Sequence, residues 1–316
     1  MLLRYTLAVL LLLATGRLLA QAPGALVPDL EALLEKKDYK AADRILKERL
    51  DHFIAGQQVD TLGSYMKYIG KVTAALQGKE KAQAAVLDFI SRLKGRFPYH
   101  GDLIGVVFSA ADYFGNSGNP QLAYKITKEL KLYFAPRPDS LQPSLHRLES
   151  NLGSYAMGIG NYGLSSDHYR ESLRLTNLLK DPDLAELFIS NNSMGIAMWY
   201  ASRLDSCLHY FKKAAEVLQQ QDSTPLNRNF RMAMLQNNMG NVYNELGRAQ
   251  DAIESFNNAI DNYQLFIASP EPHMRKEYAA RARLQAIDNL AKTYNDLGDY
   301  TKGQNLLVYA YEQKVK

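Results

Sequence analysis

A pattern of small and apolar residues returns along the chain, and it constrains the fold more than any other sequence feature. Its clearest copy spans Met239–Ala259. The first residue of each copy, called the anchor here, is Ala110, Leu152, Met194, Met239 and Leu290, which gives steps of 42, 42, 45 and 51 residues. A pattern that returns every few tens of residues indicates a repeat protein, in which each unit packs on its neighbours.

Each copy is explained by two antiparallel helices. Apolar residues follow helical spacing throughout, and no stretch sustains the alternation of a half-buried strand. A small residue directly after the anchor lets the partner helix approach closely, and a glycine near anchor +8 suits the left-handed turn between the helices. Positions +13 and +17 then form the packing stripe of the second helix. One pair cannot bury this stripe alone, so we expect the pairs to stack.

The run NNMGNVYNELGRAQDAIESFNNAI (Asn237–Ile260) resembles the tetratricopeptide repeat (TPR) family, and NLAKTYNDLGDYTKGQNLLVYA (Asn289–Ala310) is a second match. The resemblance implies an all-α, right-handed α-solenoid of stacked antiparallel helix pairs. The repeat steps exceed the family's usual length of about 34 residues. We expect the extra length in long helices such as Asp183–Ser202 and in polar loops such as Gln219–Asn229.

The start of the chain has the layout of a cleavable secretory signal. Arg4 precedes the apolar run Tyr5–Thr15, and small residues follow through Ala20. The alternative is a membrane anchor, but this run is roughly half the ~20 residues that a spanning helix needs. We therefore predict an exported bacterial protein, periplasmic or secreted, with Gln21 as its new terminus and no membrane span. The predicted segments are a signal peptide (1–20), degenerate helical repeats (21–100) and a TPR-like solenoid (101–316).

Composition argues against several classes of partner and cofactor. The net charge is +4, and two of the basic residues, Arg4 and Arg17, lie in the signal, so the mature chain lacks the charge of a nucleic-acid-binding protein. A single cysteine, Cys207, excludes an intrachain disulfide and a cysteine-rich metal cluster. The histidines are scattered without the i, i+4 spacing of a zinc site. We expect neither a metal nor a cofactor.

Two local motifs have a catalytic interpretation, and both fit a structural one better. Gly158–Gly163 matches G-x-G-x-x-G but lies in a turn between helices, where the dinucleotide fingerprint needs a strand before it. Asp205, Cys207 and His209 are spaced two apart, so successive side chains point to opposite helix faces. Cys207 holds a small-residue packing position, which predicts a buried, inert thiol. We predict that the chain is not an enzyme.

The first helix of each pair carries a polar face. Positions −2, +2 and +5 lie opposite the anchor and should face away from the core, with −1 on the flank. In the TPR family this side lines a concave groove, and an Asn amide offers both a donor and an acceptor to a peptide main chain. A simply solvated face is the alternative. The predicted groove residues are Asn151, Ser154, Asn192, Trp199, Asn237, Asn238, Asn241, Asn244, Asn289, Lys292 and Asn295.

Two functions follow from these features. The first is an exported, non-catalytic scaffold that binds an extended segment of a protein partner in the groove, with Trp199 as the apolar contact. The resemblance to exported TPR arrays implies the second, the sensory or substrate-recruiting arm of a larger enzyme, a histidine kinase or a caspase-like peptidase. Because Asn237 and Asp288 stand where a clamp for a chain terminus wants lysine, we do not expect terminus capture.

The last helix is rich in apolar residues. We expect Leu307 in the core and Val308 or Tyr311 on a contact surface that mediates self-association.

Overall fold

A computed structural model describes residues 28–315, and the predicted export signal lies outside this range. All regular elements of the described range are helical, which confirms the predicted all-α class. Within the same range, no helix combines the length and apolar character that crossing a membrane requires. The helices fall into two compact units, divided between Ser172 and Leu173. The sequence-based division after residue 100 stays a prediction.

Unit 1 consists of helix pairs joined by short connections, which makes consecutive helices antiparallel. Two of the first helices begin directly after a 3₁₀ turn. The turns are Gly63–Tyr65 and Gln142–Ser144. The helices are α1 (Pro28–Glu35), α2 (Tyr39–Ala55), α3 (Val59–Leu62), α4 (Met66–Gln77), α5 (Lys79–Arg96), α6 (Leu103–Asn116), α7 (Pro120–Tyr133), α8 (Pro138–Leu141), α9 (Leu145–Gly158) and α10 (Tyr162–Asn177), and the division falls inside α10.

Unit 2 contains three longer pairs. Its first helices are α11 (Leu184–Tyr200), α13 (Met232–Glu245) and α15 (His273–Asp296), and its second helices are α12 (Leu204–Gln220), α14 (Ala249–Ala268) and α16 (Tyr300–Val315). The predicted long helix at 183–202 is confirmed as α11, whose first turn is capped by Asp183 Oδ1 accepting from the Ala185 N–H at 2.8 Å. The predicted loop Gln219–Asn229 is wrong at both ends. Helix α12 continues to Gln220, and a π-helical turn begins at Leu226.

The close approach inside each pair follows from the residue after the anchor, as predicted. A Cβ placed on Gly240 would lie 2.6 Å from the ring of Phe256, and one on Gly195 would lie 2.5 Å from the ring of Phe211. These distances are too short for any real contact, so only glycine allows the aromatic ring at +17 to seat. Both rings are fully buried.

The turn between the helices is also where the repeat pattern predicts it. The residue at anchor +8 adopts a left-handed φ in every copy, namely Gly118, Gly160, Ser202, Gly247 and Gly298. Glycine has no steric penalty in this region. Ser202 (φ 57°) is the copy in which an L-residue is held there.

The predicted burial of Leu307 is wrong, because 43% of this side chain is exposed. Helix α14 packs against both α13 and α15, which cover its +17 residue, Phe256, from two sides. Helix α16 packs against α15, so its +17 residue, Leu307, has one flank in solvent. Val308 and Tyr311 are exposed, as expected for a contact surface.

Candidate functional site

The predicted groove residues of unit 2 lie on its three first helices, and several of them join neighbouring helices. Asn289 Nδ2 on α15 donates to Asn237 Oδ1 on α13 at 3.1 Å. Nearby, Asn244 Nδ2 donates to Thr293 Oγ1 at 2.7 Å, and Thr293 Oγ1 donates to the Asn289 carbonyl at 2.9 Å. We call these side chains, together with Asn192 and Asn238, the amide ladder. Its bonded members tie α13 to α15.

Trp199 has a similar structural contact. Its indole Nε1 donates to Glu245 Oε1 at 2.9 Å and so links the C-terminal ends of α11 and α13. Only 9% of the residue is exposed. The expectation that Trp199 projects away from the core is therefore wrong, and its removal would leave a cavity.

The physical reason is the side-by-side packing of the first helices. Positions −2 and +5 of one helix point at the next first helix, so Asn192, Trp199 and Asn237 are buried. Position +2 lies between the side that faces the next first helix (−2 and +5) and the side that carries position −1. It is more exposed in the later copies, where Asn241 is half-buried and Lys292 is exposed. Helical angle alone could not separate these positions, because they lie within about 60° of one another.

The other predicted residues are partly accessible. Asn244 and Asn295 are half-buried in unit 2, and Asn151 and Ser154 are half-buried on α9 of unit 1. Asn241 Nδ2 donates to the Asn237 carbonyl of its own helix at 3.0 Å. Asn241 on α13 and Lys292 on α15 are thus accessible on two successive first helices, Lys292 more than the half-buried Asn241, Asn244 and Asn295.

Two members of the amide ladder have unmet hydrogen-bonding capacity. Asn192 is fully buried, and neither its Nδ2 nor its Oδ1 has a partner among the described residues. Asn238 Nδ2 is likewise without a partner within the described range. A buried amide left unbonded costs about 1–3 kcal/mol, so each such group calls for an explanation.

The π-helical turn before α13 places a buried cation against helix α11. Arg231 Nη1 donates to Asn227 Oδ1 at 2.7 Å, and its guanidinium stands 5.1 Å from the ring of Phe188 on α11. Burial lowers the pKa of Arg231, and the negative charges of Asp222 and Asp183 oppose this effect. π-Helical turns are rare and frequently occur at functional sites. The repeat pattern did not reveal this turn.

Unit 1 contains a different kind of polar cluster, which sequence reasoning missed. Glu149 on α9 is almost fully buried; its Oε1 accepts from Lys131 Nζ at 2.8 Å, and its Oε2 lies 2.7 Å from His168 Nδ1. Because the carboxylate only accepts, Nδ1 carries the hydrogen, and Nε2 of the same ring lies 3.0 Å from the Tyr124 hydroxyl oxygen. Burial raises the pKa of Glu149, but the bonds from His168 and Lys131 outweigh it and hold that pKa below 4.5.

A half-open cavity of about 840 Å³ also lies in unit 1, among α1, α4 and α6. Two of its charged lining residues are paired with each other, since Lys67 Nζ donates to Glu31 Oε1 at 2.8 Å, and Tyr68 O–H from outside the lining donates to the same oxygen at 2.5 Å. This pairing favours a structural role.

The remaining sequence candidates have local explanations. Cys207 is buried, as predicted, and burial, with a smaller contribution from Glu245, raises the pKa of its thiol well above the usual range. Asp205 and His209 are exposed on the other faces of α12. Among the described residues, no cluster of three or more histidine, cysteine, aspartate or glutamate side chains could hold a metal ion.

The fold has clear counterparts among solved structures. BtubC (BKLC) from P. vanneervenii superposes with a TM-score of 0.58 at 19% identity, over 74% of this chain and 89% of that one. A candidate kinesin light chain of Podosopora anserina, with nearly identical TPR-like repeats, gives a TM-score of 0.52 at 16% identity, over 71% of this chain and 94% of that one. No protein-family model matches the sequence, and no curated protein matches it. The fold is therefore a TPR-like α-solenoid of helix pairs.

Proposed function

We propose that the chain is an exported, non-catalytic scaffold that binds another protein through an extended segment held by the first helices of unit 2. The TPR-like fold supports a scaffold, because stacked helix pairs present elongated surfaces suited to peptide segments. The observation that carries the proposal is the buried, unbonded amide of Asn192. Buried polar groups are normally hydrogen-bonded, and proteins depart from this rule mainly at functional sites.

An extended main chain offers the hydrogen-bond donors and acceptors that the buried amides of this surface lack. Each of its residues offers one N–H and one C=O, which are the partners that the amides of Asn192 and Asn238 need. Asn241 and Lys292 provide the accessible contacts on α13 and α15. For its main chain to reach the buried amide of Asn192, the contact between α11 and α13 must open, which breaks the bond from Trp199 Nε1 to Glu245 Oε1.

Site-specific photo-crosslinking tests the surface. A photoreactive amino acid at Asn241 should yield a discrete crosslinked partner in cells of the source organism. The same amino acid at Asn257, an exposed asparagine on the second helix α14, should not. Adding Lys292→Glu to the first variant should reduce the crosslinked product several-fold while leaving the circular dichroism unchanged. Equal crosslinking from both positions would refute the proposed surface.

Export has its own test. Mass spectrometry of the protein recovered from an envelope fraction should find Gln21 as the first residue. A full-length chain retained in the cytoplasm would contradict export and leave the binding surface to be judged by the crosslinking result.

The second candidate function is the sensory or recruiting arm of a histidine kinase or a caspase-like peptidase. Sequencing of the genomic reading frame beyond Lys316 distinguishes it. A continuing frame with a membrane span or a catalytic motif would favour the arm, and a stop codon would favour the scaffold.

A further inference from the structure

Helices α11 and α13 are joined at both ends by pairs of side chains. At the N-terminal end, the guanidinium of Arg231, in the π-helical turn before α13, stands 5.1 Å from the ring of Phe188. At the C-terminal end, Trp199 Nε1 donates to Glu245 Oε1 at 2.9 Å. The two helices therefore run side by side in the same direction, and we call the contact between these two pairs the seam.

Both amides with unmet hydrogen-bonding capacity lie in the seam. Asn192 comes seven residues before Trp199 on α11, and Asn238 comes seven residues before Glu245 on α13. Seven residues return a side chain to within about 20° of the same direction, about 10 Å away along the helix. Because Trp199 and Glu245 meet, the two amides face each other at the same level of the seam, and both are buried.

The unmet atoms of the seam match one peptide group. Nδ2 of Asn192 and Nδ2 of Asn238 are donors, Oδ1 of Asn192 is an acceptor, and none of the three has a partner among the described residues. A peptide carbonyl has two lone pairs, and a peptide N–H is one donor. A single inserted peptide group can therefore accept from both Nδ2 atoms and donate to Oδ1.

The two ends of the seam differ in how firmly they are held. Gln221 Nε2 donates to the carbonyl of Leu184, the first residue of α11, at 2.7 Å, and Gln221 Oε1 accepts from Arg231 Nη1 at 3.4 Å. Arg231 is itself buried. By contrast, Glu245, which accepts the bond from Trp199, is exposed. Solvent-exposed hydrogen bonds open locally at a lower free energy than buried ones, so the seam opens from its C-terminal end.

We propose that the seam is a gated slot for one peptide group of the bound segment, with Arg231 as the hinge and the bond from Trp199 to Glu245 as the gate. The slot rests on the proposed function, which supplies the segment. Glu245 sets the affinity without touching the segment, because the bond to the indole must break before the peptide group enters. A protein whose binding-competent state is only partly populated binds more weakly by that fraction.

Fluorescence tests the gate directly, because Trp199 is the only tryptophan of the chain. The probe is capped tetraglycine, which offers peptide groups and no side chains, titrated into the mature chain (21–316). Opening exposes the indole to water, so the Trp199 emission should shift to longer wavelength in a saturable way. The matched probe is the same peptide built from N-methylglycine, which has no main-chain N–H and should bind several-fold more weakly. No shift with tetraglycine, or equal shifts with both probes, would overturn the slot.

Calorimetry with the tetraglycine probe tests the slot and the gate separately. Asn192→Leu and Asn238→Leu should each lower the affinity several-fold with unchanged helicity, and the exposed Asn257→Leu on α14 should leave it unchanged. Glu245→Ala removes the acceptor of the gate and should raise the affinity several-fold, whereas Glu254→Ala, which removes an exposed carboxylate on α14, should have no effect. Wild-type affinity in both leucine variants of the seam would reject the slot. An unchanged or lower affinity of Glu245→Ala would reject the gate.

The slot and the proposed binding surface can fail independently of each other. Partner crosslinking at Asn241 without a Trp199 shift would keep the surface and reject the slot. A Trp199 shift without crosslinking at Asn241 would keep the slot and reject the surface.

Discussion

The two units bury polar groups of different kinds. In unit 1 the buried polar network is charged, with Glu149 bonded to His168 and to Lys131. In unit 2 the amide bond between the first helices α13 and α15, from Asn289 to Asn237, is neutral, although Trp199 on α11 donates to the Glu245 carboxylate on α13. Charged, fully bonded groups fix one arrangement strongly and make it depend on pH. Neutral amides cost less to separate, so the helices that carry them are better suited to admit a ligand.

The largest expected effect concerns an apolar contact inside one helix pair of unit 2. Phe256→Ala removes a fully buried ring that seats against Gly240. The cavity should lower the free energy of unfolding by about 3–5 kcal/mol, measured by urea denaturation. The neighbouring exposed residue provides the control, since Asn257→Ala should change stability by less than about 0.5 kcal/mol. A small effect of Phe256→Ala would mean that the site collapses to fill the cavity.

The next effect concerns the charged cluster of unit 1. Glu149→Gln keeps the shape of the side chain but removes the charge that accepts from His168 and Lys131. Hydrogen bonds to charged groups contribute about 1.5–3 kcal/mol, and we expect a loss of that size in urea denaturation at neutral pH. The matched control is Glu129→Gln, a half-exposed pair with Lys125 at 3.9 Å, which should change stability by less than about 1 kcal/mol. Equal effects would remove the distinction between the buried cluster and an exposed ion pair.

Acid should weaken unit 1 through the same carboxylate. The folded-state pKa of Glu149 lies below its ordinary value of 4.5. The contribution of Glu149 is therefore fully present above that value and is lost as the pH falls through the lower folded-state pKa. The stability difference between wild type and Glu149→Gln should shrink as the pH falls below 4.5. A difference that stays constant into strong acid would show that the carboxylate is not the group responsible.

The features that the sequence predicts correctly are those set within one repeat. The contact of Gly240 with Phe256 and the left-handed turn at Gly247 depend on spacings of 16 and 8 residues on two consecutive helices. Such spacings are read directly from the repeat pattern. The fold class follows, because the same spacings recur in the other copies.

The features that it misses depend on how neighbouring repeats are placed. The bond between Asn237 and Asn289 joins residues 52 positions apart and depends on the offset between α13 and α15, which the pattern within one repeat does not determine. For the same reason the repeat pattern places Trp199 on a free face, although its indole donates to Glu245 of the next first helix. Leu307 occupies the same repeat position as Phe256, but within the part of the chain that the structure describes it is 43% exposed.

The smallest expected effect is the difference in stability between replacing a bonded amide of the ladder, Asn237, and replacing an unbonded one, Asn192. Asn237→Leu removes the acceptor of Asn289 Nδ2 and should destabilise unit 2 by about 1 kcal/mol. Asn192→Leu replaces a fully buried amide, with no partner among the described residues, by an apolar side chain of similar size. It should stabilise the unit by about 1 kcal/mol, because no hydrogen bond is lost and an unmet desolvation cost is removed.

Crosslinking tests whether the stabilised variant Asn192→Leu also binds its partner less well. If the amide of Asn192 serves a bound main chain, Asn192→Leu combined with the photoreactive residue at Asn241 should raise the urea midpoint and still lower partner capture several-fold. A stability gain with unchanged capture would show that the amide has no binding role. A stability loss would show that it already has a bonding partner in the unliganded protein, such as an ordered water. Only an increase in stability together with a decrease in binding fits a polar group retained for a ligand at the expense of the fold.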